Sequence, residues 1–277
     1  MHLVFALFFL SQVLGNDLPC NLLNLREIPA EVPFHCAWEM TPPANLSALL
    51  SQSFTYLGEG HQCLAFVSED QQYVLKFPLL RPHPSPWWHK LPFYARKHQH
   101  LHAHRIYKKL KKDSVRYFLA LDTLKAETGL VYVHLNRTSI LNTKVQITDK
   151  EGLQHIIDLD QVEFLLQKKA QLVYPALQAW MNQGQIHQAK EGLFNLVQLL
   201  YKRLEKGVDD PEQNLEGNFG FIGTEAIQID LGHLRKKKQP TNPVIEKKKI
   251  ENLLAPLKQQ LAADYPQLSQ YLEQILL

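Results

Sequence analysis

Asn218 and Asp230 bound a short stretch whose side chains could together hold a divalent metal ion. Apolar residues alternate with small or polar ones on either side of 223–226, which predicts two short strands joined by a four-residue turn. If Ile222 pairs with Ile227, the amide of Asn218 and the carboxylate of Asp230 emerge together at the open end of this hairpin. Oxygen ligands fixed side by side suit Mg²⁺, which commonly takes its other ligands from phosphates and water.

A second informative stretch lies far upstream, in residues 54–77. Its pattern predicts a strand, a turn containing Gly58 and Gly60, a second strand, a polar turn at 68–72, and a third strand. Lys76 lies at the end of the third strand, after Val-Leu, as the first charged residue of an apolar run. The sequence therefore predicts a three-stranded meander with a glycine turn at one end and a lysine near the other.

Together these two stretches resemble the protein kinase-like fold. In that family an Asn closes the catalytic loop and an Asp opens the D-F-G motif after a short hairpin, and the Asp-Leu-Gly of this chain is similar to that motif. The G-x-G turn and the strand ending in Val-Leu-Lys are similar to the family's glycine-rich loop and V-A-I-K lysine. The resemblance implies ATP and Mg²⁺ as cofactors. It places Gly58, Gly60 and Lys76 on the phosphates, and Asn218 and Asp230 on the metal.

The resemblance also implies a carboxylate base in the loop before Asn218. The family's loop reads H-R-D-x-x-x-x-N, and this chain lacks the His-Arg. Asp209 and Asn214 have the family spacing, but Asn218 leads directly into the predicted strand. Asn218 is therefore the preferred metal ligand, with Asp210 or Asp209 as base, and Asn214 is the alternative ligand. An ordinary acidic loop in which Asp210-Pro starts a turn is the non-catalytic interpretation.

Two departures from the family pattern keep a second function open. Cys63 replaces the third glycine, and no acidic residue occurs between residues 71 and 112, so the helix after Lys76 has no Glu to pair with it. The first hypothesis is a kinase-like phosphotransferase that acts on an unknown protein or small-molecule acceptor. The second is a pseudokinase, a nucleotide- or protein-binding module without catalysis.

The order of elements predicts an α+β, two-lobed protein kinase-like fold. Residues 51–135 are expected to form an N-lobe of antiparallel sheet plus one helix, and 136–277 a reduced, mainly helical C-lobe, after an arm at 16–50. The remaining expectations are a strand at 130–135 that leads to a hinge at 136–138, a hairpin within 145–158, and helices at 161–181, 185–204 and 244–277.

Residues 3–14 form an apolar run followed by Gly15, which predicts a signal peptide at 1–15 and export to a periplasm or the exterior. The run is too short to span a bilayer, so no transmembrane span is expected after its removal. No Lys or Arg precedes it, and a buried first element is the alternative. After export Cys20 and Cys36 could form a disulfide while Cys63 stays a thiol. The net charge of +3 is too small to indicate a nucleic-acid partner.

Overall fold

The computed structural model describes residues 28–60, 63–79, 92–237 and 242–276, with side chains described from residue 101 in the helix that begins at Pro92. The predicted signal peptide and Cys20 lie outside these residues, so neither export nor the Cys20–Cys36 disulfide is tested. Within the described residues, no helix is both long and apolar enough to cross a membrane.

A seven-stranded sheet forms the first half of the fold, and its strand order is β4-β7-β3-β2-β1-β5-β6. The predicted meander is present as β1 to β3, antiparallel and in the expected order. Apolar residues face the interior on both sides of β2 and β3, because these strands are central in the sheet. The strands are β1 Phe54–Glu59, β2 Cys63–Ser68, β3 Tyr73–Pro78, β4 Leu130–His134, β5 Lys144–Thr148, β6 Gln154–Asp158 and β7 Phe164–Lys168.

The predicted hinge at 136–138 is wrong, because β4 is an edge strand and does not pair with the lysine strand. On the side away from β2, β3 pairs with β7, with Lys76 opposite Leu165. β4 pairs with β7 at the edge of the sheet. The chain therefore leaves the sheet after Lys168. Asn136 instead holds the N-terminal arm: its Oδ1 accepts from the His35 amide at 3.0 Å and its Nδ2 donates to the His35 carbonyl at 3.1 Å.

The predicted helix at 161–181 is wrong in its first half. Phe164–Lys168 is a strand, and helix begins only at Val173. A short apolar run such as Phe-Leu-Leu fits a buried strand as well as a buried helical turn. The predicted hairpin within 145–158 is confirmed as β5–β6. It joins the sheet beside β1 in parallel, with Phe54 opposite Ile147.

The second half of the fold is mainly helical and carries two small sheets, ordered β11-β10-β8 and β12-β9. The helices predicted at 185–204 and 244–277 are confirmed, and the latter is divided in two by a break before Pro266. The helices are α1 Leu46–Leu50, α2 Pro92–Thr123, α3 Lys125–Thr128, α4 Val173–Asn182, α5 Ile186–Glu205, α6 Pro243–Asp264 and α7 Pro266–Leu276. The short strands are β8 Gln171–Leu172, β9 Val208–Asp209, β10 Phe219–Ile222, β11 Glu225–Gln228 and β12 Arg235–Lys236.

Three apolar clusters hold these parts together. One lies within the large sheet and includes Phe66 and Phe164, and one lies among α4 to α7 and includes Leu196 and Leu254. The third joins the two, because it packs α2 and β4 against Val208 of β9 and the residues that follow Asp230. The predicted α+β class is confirmed, with the large sheet in the first half of the fold and a mainly helical second half, as predicted.

A buried histidine in β4 is expected to make the stability of this sheet depend on pH. The side chain of His134 is 3% exposed, its ring stacks on Phe164, and its Nε2 has no hydrogen-bond partner among the described residues. Burial lowers the pKa of His134 from 6.5 to about 4, against the opposing effect of Asp160. The unfolded chain therefore binds the proton more readily, so stability falls as pH drops from 6.5 towards 4. A shift of this size corresponds to about 3 kcal/mol.

His134→Phe keeps an aromatic ring in the stack and removes the titrating group. We expect its free energy of unfolding, from urea denaturation, to fall less than that of the wild type between pH 7 and pH 4. The exposed His187 provides the control, since His187→Gln should leave the wild-type slope unchanged. Identical pH slopes for His134→Phe and wild type would contradict this assignment.

Candidate functional site

The hairpin β10–β11 brings Asn218 next to the residue before Asp230. Its loop has two residues rather than the predicted four, so Ile222 pairs with Glu225 instead of Ile227. This shift of two residues leaves each side chain on its expected face. The amide of Ile229 donates to the Asn218 carbonyl at 2.7 Å. The predicted juxtaposition at the open end of the hairpin is therefore present, although the predicted register is wrong.

The donor set at this end of the hairpin fits a magnesium ion. Asp230 Oδ1 accepts from the amide of Gly232 at 2.8 Å, which orients the carboxylate and leaves Oδ2 available. The side chain of Asn218 is buried and makes no hydrogen bond within the described chain. One carboxylate oxygen and one amide oxygen are the partial set that Mg²⁺ completes with phosphates and water. No cluster of three His, Cys, Asp or Glu side chains suited to a metal occurs among the described residues.

Asn214, the alternative ligand, has a different role. It is exposed, and its Oδ1 accepts from the amide of Gly217 at 2.9 Å. Its backbone carbonyl also accepts from the amide of Asn218. This arrangement closes the loop that delivers Asn218 to the hairpin, and it favours Asn218 over Asn214 as the metal ligand.

Lys76 reaches from the sheet to the hairpin. Its Nζ donates to the carbonyl of Ile229 at 2.8 Å, immediately before Asp230. Burial lowers the pKa of Lys76, while the nearby Cys63 and Asp230 raise it. The helix that follows Lys76 has no glutamate to orient the ammonium group. The Ile229 carbonyl at the end of the hairpin orients it instead. Tyr117 is the residue of α2 that lines the same cleft.

This cleft lies between the sheet and the hairpin, and it contains both charged candidates. Its walls come from the face of β2 and β3 that carries Cys63 and Lys76, from β7, from α2, and from the segment after β11. The lining residues are Cys63, Lys76, Tyr117, Leu165, Gln167, Ile229, Asp230, Leu231 and Gly232. The cleft therefore brings together Lys76 and Asp230, which lie in two distant parts of the sequence. Asn218 is bonded through its backbone to Ile229, the residue before Asp230, and is not among the lining residues.

Gly58 lies in β1 rather than in the predicted turn, and Gly60 follows the strand. Both glycines leave open space beside the backbone. A Cβ added at Gly58 would meet nothing within 4 Å, and one added at Gly60 would meet only the Cys63 carbonyl at 3.9 Å. Neither glycine has a positive φ angle, so the fold itself does not require glycine there. The free space is what close approach of a phosphate to the backbone would need. Their assignment as phosphate-binding residues stays a prediction.

The two candidate bases differ in their surroundings. Asp209 lies in β9 and forms an ion pair with Arg235 of β12, with Nη2 and Oδ2 2.9 Å apart. Asp210 is 2% exposed. Its Oδ2 accepts from Gln228 Nε2 at 2.7 Å and its Oδ1 from the amide of Glu212 at 3.1 Å. Burial raises the pKa of Asp210, as does Asp230 to a smaller extent, against the opposing effect of Arg203.

A buried polar network that the sequence does not predict contacts the carbonyl of Asp230, a candidate metal ligand. Gln228 donates to Asp210 and to the Asp230 carbonyl, the latter at 3.1 Å. The oxygen of its amide accepts from Arg203 Nη1 at 2.9 Å, and Arg203 Nη2 donates to Gln213. Arg203 is 2% exposed. The only signal in the sequence is a glutamine between two isoleucines and an arginine on the apolar face of a helix.

No protein-family model matches the chain, and no curated protein matches it. Solved structures of kinase-fold proteins are similar to it at low identity. A structure of WbdD shares 13% identity over 79% of this chain and 45% of that chain, with a TM-score of 0.40. Another, of the bifunctional kinase-methyltransferase WbdD, shares 15% identity over 77% and 42% of the two chains, with a TM-score of 0.39.

ROP2 from Toxoplasma gondii, a virulence factor with a protein-kinase fold and no enzymatic activity, shares 12% identity over 68% of this chain and 52% of that chain, with a TM-score of 0.37. The chain spans less than half the length of the two WbdD structures. Likenesses this distant carry nothing about activity. The lysine strand, the β10–β11 hairpin and the cleft between them have the arrangement that the resemblance to the kinase-like fold implies.

Proposed function

We propose that the chain binds ATP with Mg²⁺ in the cleft between the sheet and the hairpin and transfers the terminal phosphoryl group to an acceptor. The observation that carries the proposal is the hydrogen bond from Lys76 Nζ to the Ile229 carbonyl. It places a half-buried ammonium group next to Asp230, so a cation for phosphates and an anionic ligand for the metal lie together. Burying even part of a charge is costly, and a lysine kept at a cleft despite this cost fits a site for phosphates.

Each residue has a defined task in this proposal. Lys76 neutralises the charge of the nucleotide phosphates, and Gly58 and Gly60 let backbone amides approach them. Asn218 and Asp230 would hold Mg²⁺, which when bound offsets charge on the phosphates and orients them. Phosphoryl transfer depends mainly on positioning and electrostatic stabilisation, which the rigid hairpin is suited to supply.

The burial of Asp210 favours a second candidate function, a pseudokinase that binds nucleotide without transfer. A general base must lie within hydrogen-bond reach of the substrate hydroxyl. Both oxygens of Asp210 already accept hydrogen bonds inside the chain, and Asp209 is paired with Arg235. Transfer therefore requires Asp209 to leave its exposed ion pair or Asp210 to become accessible.

The two candidates are separated by one pair of measurements on the purified chain. We expect ATP with Mg²⁺ to raise the melting temperature, since a ligand that binds only the folded state stabilises it. Release of phosphate from γ-labelled ATP, or its transfer to the chain or a generic acceptor, then supports the phosphotransferase. Binding without any release supports the pseudokinase. No response to ATP, ADP or GTP with Mg²⁺ or Mn²⁺ would overturn both.

A further inference from the structure

A second cavity lies outside the nucleotide cleft and shares none of its lining residues. Its volume is about 640 Å³, within the range of small-molecule sites. The walls come from α3, the start of β4, the end of β7, α5 and the β10–β11 hairpin. The lining residues are Pro43, Lys125, Ala126, Glu127, Gly129, Leu130, Val131, Lys168, Lys202, Ile222, Glu225, Ala226 and Ile227.

Two lysines at this cavity have no acidic partner in the described part of the chain. Lys125 and Lys168 are both exposed and take part in no described ion pair. They come from different elements, α3 and the last position of β7, yet they line the same cavity. Two lysines without a described ion pair that line one cavity from separate elements fit an anionic group of a ligand better than lysines on unrelated surfaces do.

Glu127 also lines this cavity, as a carboxylate that is paired inside the chain. Its side chain is 6% exposed, and its Oε1 accepts from Lys202 at 2.6 Å and from Lys206 at 2.7 Å. Burial raises the pKa of Glu127, but Lys202 and Lys206 hold it below its usual value. Glu127 therefore pairs with Lys202, the third lysine of the cavity, and leaves Lys125 and Lys168 as the two without a described ion pair.

Apart from Lys202 and Glu225, the remaining wall is apolar. Its apolar surface includes Val131 of β4 and Ile222 and Ile227 of the hairpin. Ile227 is buried, while Ile222 and Val131 are half-buried. The backbone can approach closely here because Gly129 has a φ angle of +61°, and an added Cβ would meet Lys168 Cβ at 3.3 Å. An apolar wall with a few convergent polar groups is typical of small-molecule sites.

We propose that this cavity binds a small organic anion that has an apolar body. Lys125 and Lys168 take the anionic group, and Ile222 and Ile227 contact the apolar body. The site is independent of the nucleotide cleft. It nevertheless shares the β10–β11 hairpin with it, so its ligand contacts the same element that carries Asn218.

The probe is 8-anilinonaphthalene-1-sulfonate, which combines a sulfonate, fused aromatic rings and one N–H. Fluorescence titration of the full chain should show one saturable site per molecule. The variant Lys125→Gln with Lys168→Gln should weaken binding at least tenfold, and both positions are exposed, so the fold should survive. The control is Lys144→Gln with Lys248→Gln, which removes the same charge from exposed positions outside the cavity and should bind like wild type.

A third variant distinguishes this cavity from the nucleotide cleft. Lys76→Met removes the cation of the cleft and should leave binding of the fluorescent probe unchanged. The proposal fails if wild type shows no saturable binding, or if the paired lysine variant binds as tightly as wild type. It also fails if Lys76→Met abolishes binding, because the probe would then occupy the nucleotide cleft.

Discussion

Replacing Asp230 with alanine is expected to abolish the stabilisation that ATP and Mg²⁺ confer on the chain. The substitution removes the anionic metal ligand, and the amide of Asn218 alone cannot hold the ion. At a hundredfold excess over Kd a ligand stabilises the folded state by about 2.7 kcal/mol, so the loss should be visible as a missing shift in melting temperature. Asp230 is only half-buried, and the fold itself should persist.

The comparison with two other variants sharpens this test. Lys76→Ala should weaken the nucleotide response less, because it removes one phosphate contact and leaves the metal ligands in place. Asp264→Ala removes an exposed carboxylate at the end of α6 and should respond like wild type. An undiminished nucleotide response in Asp230→Ala would show that the ion or the nucleotide is held elsewhere.

Arg203→Met is expected to destabilise the chain by about 3 kcal/mol, since removing one member of a buried charged network leaves the other uncompensated. Arg203 lowers the pKa of Asp210 against the effect of burial, and it also donates to Gln228. The change leaves the Gln228 oxygen without this donor and Asp210 without its nearby positive charge. Urea denaturation monitored by circular dichroism measures the effect.

A double variant identifies the charge as the cause. Asp210→Asn removes the negative charge and keeps an oxygen that accepts from Gln228. Arg203→Met combined with Asp210→Asn should therefore be more stable than the sum of the two single effects predicts. Arg137→Met, at an exposed position in the loop after β4, should cost little. Strict additivity of the two changes would show that Arg203 acts through packing alone.

Local patterns in the sequence were sufficient to find the parts that bear on chemistry. The meander with Lys76, the strands on either side of Gly223, and the two C-terminal helices each depend on the spacing of apolar residues within a short window. Asn218 and Asp230 could be placed together because a hairpin joins residues that are close in sequence. Even there the predicted four-residue loop is too long by two residues. Gly223 has a φ angle of +59°, which permits the tighter turn.

Long-range pairing could not be read from the same patterns. Both 130–135 and 164–168 are apolar runs that can form a buried strand, and nothing local indicates which of them lies beside Lys76. The network of Arg203, Gln228 and Asp210 was missed for a similar reason. Its members come from three elements, and each residue alone is an ordinary polar side chain. Only the tertiary structure shows that they are buried together.

The pairing of β3 with β7 and of β1 with β5 also has a consequence for synthesis on the ribosome. The meander β1–β3 emerges first, but its β1 edge stays unpaired until β5 has been made and its β3 edge until β7 has been made, as far as Lys168. The intervening segment includes the 32 residues of α2. At about 5–20 residues per second, the interval lasts several seconds. Unpaired strand edges are templates for association with other chains, so nascent copies on neighbouring ribosomes are exposed to mispairing before β7 arrives.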